Sequence, residues 1–384
     1  MLDRAIRFFT SLKLTVVSLA VAVVLVFVGT LAQVSQGLYQ SQERYFKSFF
    51  VWWGPEGAGW QIPVFPGGYL VGGVMLIGLV AACVRQFVLG GRKWGLILVH
   101  FGVVLLLAGQ LLTDLLSEES AMRLAEGETR NYSEAFRETE LAFIDRSAPD
   151  SDLVVSVPER RLAAGADIRL PGTPFTLRVK RYWPNADLLR ASAPGSVESG
   201  ATQGTGVGLH VVPRPVAART DDRSSPAAVV ELLAGDSSPG SWLVSLGLPQ
   251  NFTADQKPYS LELRSTRYYT LFSLQLLKTT HDVYPGTDIP KNFQSRVRLE
   301  NPAKGETREA NIYMNNPLRY EGLTFYQYQM PRDEVNPERG ISVLQVVRNP
   351  GWLTPYVGCV LVGAGLVVQF LMHLVGFIHE RRAV

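Results

Sequence analysis

Five histidines are the residues of this chain best suited to ligand chemistry, and two of them stand where lipid-compatible side chains are expected. His100 interrupts "GLILVHFGVVLLLAG", Gly95–Gly109, and His373 interrupts a second apolar run near the C-terminal end. An ionisable group inside a membrane span is costly unless it meets a partner, so function is the first hypothesis for it. Neutral imidazole is an axial ligand for haem iron. Counted from Trp94, His100 lies roughly 9 Å inside its run; counted back from Ile378, His373 lies roughly 8 Å inside. Two imidazoles at similar depth could therefore meet one haem. The plainer alternative for each is an interhelical hydrogen bond, which needs no cofactor.

The other candidates are weaker. His281, in "TTHDVYPGTDIPKNF", sits beside Asp282 in a polar, turn-rich stretch and reads as a loop residue at the surface. His210, in "GVGLHVVP", reads as a strand residue. No phosphate-binding G-x-x-x-x-G-K-[ST], no G-x-S-x-G elbow and no H-E-x-x-H is present, so no catalytic residue is assigned. Both cysteines, Cys83 and Cys359, fall in apolar runs. The chain thus has neither a C-x-x-C thiol reductant nor a C-x-x-C-H site for covalent haem. A formal net charge of +3 without a basic run argues against nucleic acid as a partner.

The elements that must position these residues are membrane helices. Four apolar runs, Leu12–Val34, Tyr69–Leu89, Gly95–Leu115 and Thr354–Phe377, match the roughly 20 residues that a helix needs to cross lipid. The first is too long for the apolar core of a signal peptide, and no A-x-A site follows it, so it reads as a retained helix. Arg4 and Arg7 precede the first run and Lys13 stands at its start, Arg85 stands near the end of the second run with Arg92 and Lys93 between it and the third, and Arg381 and Arg382 follow the fourth. The positive-inside rule then puts both termini in the cytoplasm of an inner or plasma membrane, and residues 117–352 outside it.

That large segment reads as mostly β. It opens with a short polar helical stretch after Ser117, then alternates in "FTLRVKRYW" (Phe175–Trp183) and "RVRLE" (Arg296–Glu300). "NNPLRYEGLTFYQ" (Asn315–Gln327) reads as a turn followed by a strand whose aromatics pack inward. Ala191–Gly206 and Ala218–Ala228 read as mobile Gly/Ser/Pro-rich loops that carry no chemistry, the first of them a dispensable linker. Between the first two spans, "RYFKSFFVWWGPEGAGWQIPVFPGG" (Arg44–Gly68) is crowded with aromatics and reads as an interfacial anchor or a docking surface for a partner's membrane domain. The expected fold is a membrane protein of four transmembrane helices with a large external all-β domain, sandwich- or barrel-like, between the third and fourth. Residues 1–116 hold three helices (about 12–34, 69–89 and 95–115), and 353–384 hold the last helix and a short tail.

This order of features resembles the ResB, or CcsB, family of cytochrome c biogenesis, system II. "SLKLTVVSLAVAVVLVFVGTLAQ" (Ser11–Gln33) is similar to the family's first span, with Gly29, Thr30 and Gln33 in a G-T-x-x-Q ending. "HFGVVLLLAG" is similar to the third span and "LAEGETRNY" to the start of the external domain. "HDVYPGTDIPKNFQSRVRL" and "NNPLRYEGLTFYQ" are similar to its most distinctive stretches. The resemblance covers the whole chain. It implies one half of a haem-handling complex, with a CcsA/ResC-type membrane protein as the other half and apocytochrome c as the client. It also implies that haem is held transiently in b-type form while it crosses the membrane, before covalent attachment to the client, and that His100 is its axial ligand. This half would be a non-catalytic or co-catalytic subunit of a haem lyase.

Two other classes compete. One is a haem b electron-transfer subunit in which His100 and His373 hold a permanent haem. The other is a membrane scaffold for protein assembly that never touches haem.

Overall fold

The computed structural model describes residues 2–55, 60–89, 94–149, 151–217, 223–235, 237–286, 290–331, 336 and 339–382. The chain divides into a helical unit, chiefly Met1–Glu118 and Arg348–Val384, and a β unit, Glu119–Ala217 and Asp222–Val347.

The helical unit begins with α1 (Leu2–Phe9) and α2 (Leu12–Gln36). α2 stops at Gly37, whose φ of 79° puts it in the left-handed region; its N–H donates to Gln33 O at 3.0 Å. α3 (Leu38–Ser41) runs into a π-helical turn, Gln42–Phe46. The hairpin of β1 (Phe50–Trp53) and β2 (Ile62–Pro66) follows, then α4 (Gly68–Leu89) and α5 (Trp94–Leu116). After the β unit the chain returns as α7 (Thr354–Arg382). Leu12–Gln36, Trp94–Leu116 and Thr354–His379 are long and apolar enough to cross a membrane, whereas the apolar part of α4, Gly68–Val84, is shorter. Three helices rather than four therefore meet that measure among the described residues. Arg92 and Lys93 lie outside them.

α5 and α7 approach closely because glycine lets them. Gly95, Gly102 and Gly109 are buried at seven-residue spacing on one face of α5. A Cβ on Gly95 would stand 2.7 Å from Gly365 O, one on Gly102 2.8 Å from Gly358 O, and one on Gly109 against the Thr354 side chain. Without a hydrophobic drive between helices in lipid, such backbone proximity is what gives dispersion its purchase.

In the β unit, among the described residues, the largest sheet runs β16 (Glu306–Tyr313), β15 (Pro290–Asn301), β14 (Lys257–Val283), β4 (Thr129–Asp145), β3 (Glu118–Ala125), β19 (Ile341–Arg348), β18 (Leu323–Gln329), β17 (Leu318–Tyr320). β13 (Gln250–Ala254) adds to β14, and β5 (Leu153–Pro158) to β4. A four-stranded sheet orders β12 (Ser237–Ser245), β11 (Ala227–Ala234), β7 (Phe175–Trp183) and β6 (Ile168–Arg169). A small sheet joins β8 (Ala186–Leu189), β10 (His210–Pro213) and β9 (Val197–Glu198), and α6 (Glu159–Ala163) follows β5.

Two cores result. In the first, Leu141, Phe143 and Leu261 of the large sheet pack with Leu177, Val230 and Trp242 of the four-stranded sheet, as in a sandwich. The second gathers Met122, Leu276, Val297, Ile312, Phe325 and Leu344, drawn from both ends of the large sheet, which must curl to share it. β14 serves both cores, and its register with β4 shifts between Ser265 and Arg267 and between Tyr269 and Leu274. A buried ion pair, Arg264 Nε to Glu140 Oε1 at 2.9 Å, lies beside the first core, with the Ser156 hydroxyl donating to Glu140 at 2.5 Å.

Three expectations change. The stretch after Ser117 is strand, not helix: Ser120, Met122 and Leu124 point inward at alternate positions, and pairing with β4 overrides the helix-favouring composition of "EESAMRLAE". Ala191–Gly206 is packed rather than loose. Thr202 and Gln203 N–H both donate to Ser241 O, Thr205 N–H donates to Gln250 Oε1, and Ser199 is buried. Its short polar residues satisfy the open edge of β12. The stretch around His281 is also strand as far as Val283; residues 287–289 lie outside the described part.

Candidate functional site

His100 is half-buried on α5. Its Nδ1 lies 2.8 Å from Leu96 O, one turn earlier. A carbonyl can only accept, so Nδ1 carries the proton, and in the neutral ring Nε2 keeps its lone pair. No hydrogen bond to Nε2 is formed among the described residues. One nitrogen is thus fixed by a backbone acceptor, and the other is left able to accept a hydrogen bond or to hold a metal.

The glycine face turns the ring away from α7. His100 is five residues from Gly95, roughly 140° around the helix at 3.6 residues per turn. His373 sits elsewhere. On α7 it is exposed, and its Nε2 accepts a hydrogen bond from Gln369 Nε2 at 2.9 Å. Gly95 lies against Gly365 and Gln369. Measured from that level His100 and His373 run in opposite directions, separated by roughly 16 Å along the axes at about 1.5 Å per residue. The two rings are not brought together for one iron.

His281 is exposed on β14, its ring edge-on to Phe293 of β15 with centroids 4.4 Å apart. His210 opens β10, opposite Leu189 and Glu198. Neither joins a cluster: among the described residues no group of three or more His, Cys, Asp or Glu could hold a metal ion.

The structure adds a polar group that the sequence did not point to. Asp114, on α5, accepts the Tyr69 hydroxyl from the first turn of α4, and it lies 3.0 Å from Lys47 Nζ. Lys47 also meets Glu43 at 3.5 Å. Burial alone would lower the Lys47 pKa, but the Asp114 carboxylate, helped by Glu43, holds it above the ordinary lysine value. Asp114 follows His100 by fourteen residues, so the two share one face of α5, the face that α4 addresses through Tyr69.

The two stretches singled out in the β unit also meet. Ser295 Oγ lies 2.6 Å from Gln327 Oε1 and 2.7 Å from Ser342 Oγ, joining β15 to β18 and β19 inside the second core. Asn315, Glu321 and Gly322 all take positive φ, making the turns on either side of β17, and Phe325 is fully buried. The inward aromatic is Phe325; Tyr326 and Tyr328 face out.

A helical region with one half-buried, half-satisfied imidazole, joined to a large all-β unit, defines the class: a membrane protein built around a β domain. Residues 229–338, from within β11 to beyond β18, match the model of the ResB-like family. Over that stretch the chain is similar to the ResB-like family, the family that its sequence resembles. Protein NrfI of Wolinella succinogenes is 33% identical over 100 residues, which make up 26% of this chain and 10% of NrfI. The chain thus spans about a tenth of that relative.

Proposed function

We propose that this protein is a cytochrome c biogenesis factor that, with a CcsA/ResC-type partner, passes haem across the membrane and presents it to apocytochrome c. The observation that carries the reading is the bare Nε2 of His100, held in orientation by the Nδ1–H bond to Leu96 O inside an apolar helix. That nitrogen would hold the haem iron, and haem supplies the group that is later attached to the client. The chain's own residues orient the imidazole, keep its protonated nitrogen away from the ligand, and leave the ligand face of α5 clear of α7. The proposed topology has four spans, α4 being the shortest, with both termini cytoplasmic and the β unit outside. The basic flanks Arg4, Arg7, Lys13, Arg381 and Arg382 support it. The separation of His100 from His373 favours this reading over a permanent haem b clamped by both.

His100→Ala tests it. The variant should insert and keep its partner, because alanine suits a span and a costly polar group is gone. It should lose haem co-purifying with the complex and lose holocytochrome c formation, and added imidazole should restore part of both. Normal haem content and normal maturation in the variant would overturn the assignment.

A further inference from the structure

The hairpin of β1 and β2 carries aromatic surface that, among the described residues, nothing in the helical unit covers. One side is anchored: Val51 is buried with Leu25 of α2 and Val71 of α4, and Phe65 packs on that cluster. The rest of the hairpin is bare. Phe49 is 63% exposed, Trp53 52%, Trp60 53% and Val64 52%, and Phe50, Trp52 and Ile62 are exposed beside them.

The contacts place the hairpin along α2 and α4. Gly29, seven residues and roughly 10 Å before the end of α2, lies against the Phe46 ring, where a Cβ would stand 2.7 Å from Cζ. At the hairpin base Gly67 N–H donates to Phe49 O at 2.9 Å and Tyr69 N–H to Ser48 O at 3.1 Å, so the base rests on the first turn of α4. The hairpin therefore folds back along α2 rather than standing away from it. α2, with 25 residues, is roughly 37 Å long against about 30 Å of hydrocarbon, so its last turns reach the headgroup layer. A two-stranded sheet has two open edges, and their N–H and C=O groups could not sit in hydrocarbon; the headgroup layer supplies water and acceptors. Arg44, whose Nη2 donates to Trp52 O at 2.9 Å, puts a cation beside the exposed rings, a charge that lipid phosphates would favour.

We infer that the β1–β2 hairpin is a lipid-binding element lying in the headgroup–acyl boundary, its exposed Trp and Phe side chains inserted between phospholipids. The packing of the hairpin on α2, whose Val24, Val28 and Leu31 are exposed apolar residues on a helix long enough to cross a membrane, carries this choice of occupant.

The test uses the full-length protein in phosphatidylcholine–phosphatidylglycerol vesicles, with Cys83→Ser and Cys359→Ser and a nitroxide on Trp53→Cys or, separately, Val64→Cys. Val360→Cys, on a lipid-exposed face of α7, and Ser151→Cys, on an exposed loop of the β unit, give the lipid and water limits. Both hairpin labels should show an oxygen-to-nickel-chelate accessibility ratio between those limits and above the Ser151 value several-fold. A ratio equal to that at Ser151 would place the hairpin in water and overturn the inference. Immobilised labels shielded from both relaxants would overturn it in favour of a protein partner or a second copy. Neither result depends on haem, so the test stands apart from the proposed function.

Discussion

Gly102→Ala adds a single methyl group where α5 and α7 are in close contact. The new Cβ would stand 2.7 Å from Val362 Cγ2 and 2.8 Å from Gly358 O, and ordinary Cβ contacts begin at 3.4 Å. The Val362 methyl can rotate, but the Gly358 carbonyl is backbone, so the helices must part locally by at least 3.4 − 2.8 = 0.6 Å. A radial gap of about 0.5–1 Å forfeits roughly a quarter to a half of each flanking dispersion contact. Overpacking of this kind costs about 1–3 kcal/mol, which is roughly a 5- to 150-fold loss in the folded-to-unfolded ratio. Gly363→Ala is the matched control, because a Cβ there meets nothing within 4 Å. On helix propensity alone it should be neutral or gain up to about 1 kcal/mol. Unfolding of both variants in mixed micelles, titrated with sodium dodecyl sulfate and followed by circular dichroism, reads the difference. His100 points away from the seam, so haem bound per folded molecule should stay close to wild type in Gly102→Ala. Equal midpoints for the two variants would refute the close-packed seam and the orientation of His100 deduced from it.

Two further outcomes follow from the same geometry. Deleting Ala191–Gly206 should destabilise the β unit by several kcal/mol, since it strips backbone partners from Ser241 and Gln250 at about 1 kcal/mol for each lost bond; unchanged urea unfolding of the protein in micelles would restore the view of this segment as a linker. The Lys47–Asp114 pair should respond to alkali: burial opposes the ammonium and Asp114 more than compensates, so the folded pKa is raised. Its contribution is therefore fully present below the unfolded lysine value of about 10.4 and lost as pH rises through the higher folded value. Lys47→Met should flatten the fall of the thermal midpoint above about pH 10, and an unchanged slope would show that the pair adds nothing.

How much of this was legible beforehand differs by element, for physical reasons. The apolar runs that became α2, α5 and α7 could be read because a span is specified by composition over its whole length, with no partner required. The strands of β7 and β15 could be read because alternation is local. β3 could not: "EESAMRLAE" satisfies a helix and a strand equally, and only the presence of β4 beside it, with Met122 and Leu124 turned inward, decides. Ala191–Gly206 failed for the opposite reason. Its Ser, Thr and Gly residues look like a linker, but the same short polar side chains are what an open strand edge needs, and β12 lies more than thirty residues downstream. Asp114 reads as a charge at the end of a span until Lys47 and Tyr69 are placed on it.

α5 shows why one sequence pattern can carry two meanings. Gly95, Gly102 and Gly109 recur every seven residues, and so do His100, Leu107 and Asp114. Periodicity alone says that the helix has two distinct stripes; it does not say what each stripe touches. The contacts separate them. The glycine stripe is consumed by α7, where any Cβ would collide, so that face is sealed against a ligand. The other stripe keeps a charge tied to Lys47 and Tyr69 at one end and an imidazole with a bare nitrogen nearer the other. A polar residue on the face that α7 leaves free is not placed there by the glycine seam. This physical asymmetry, more than the presence of a histidine in a membrane helix, singles out His100 from His373, whose Nε2 is already engaged by Gln369.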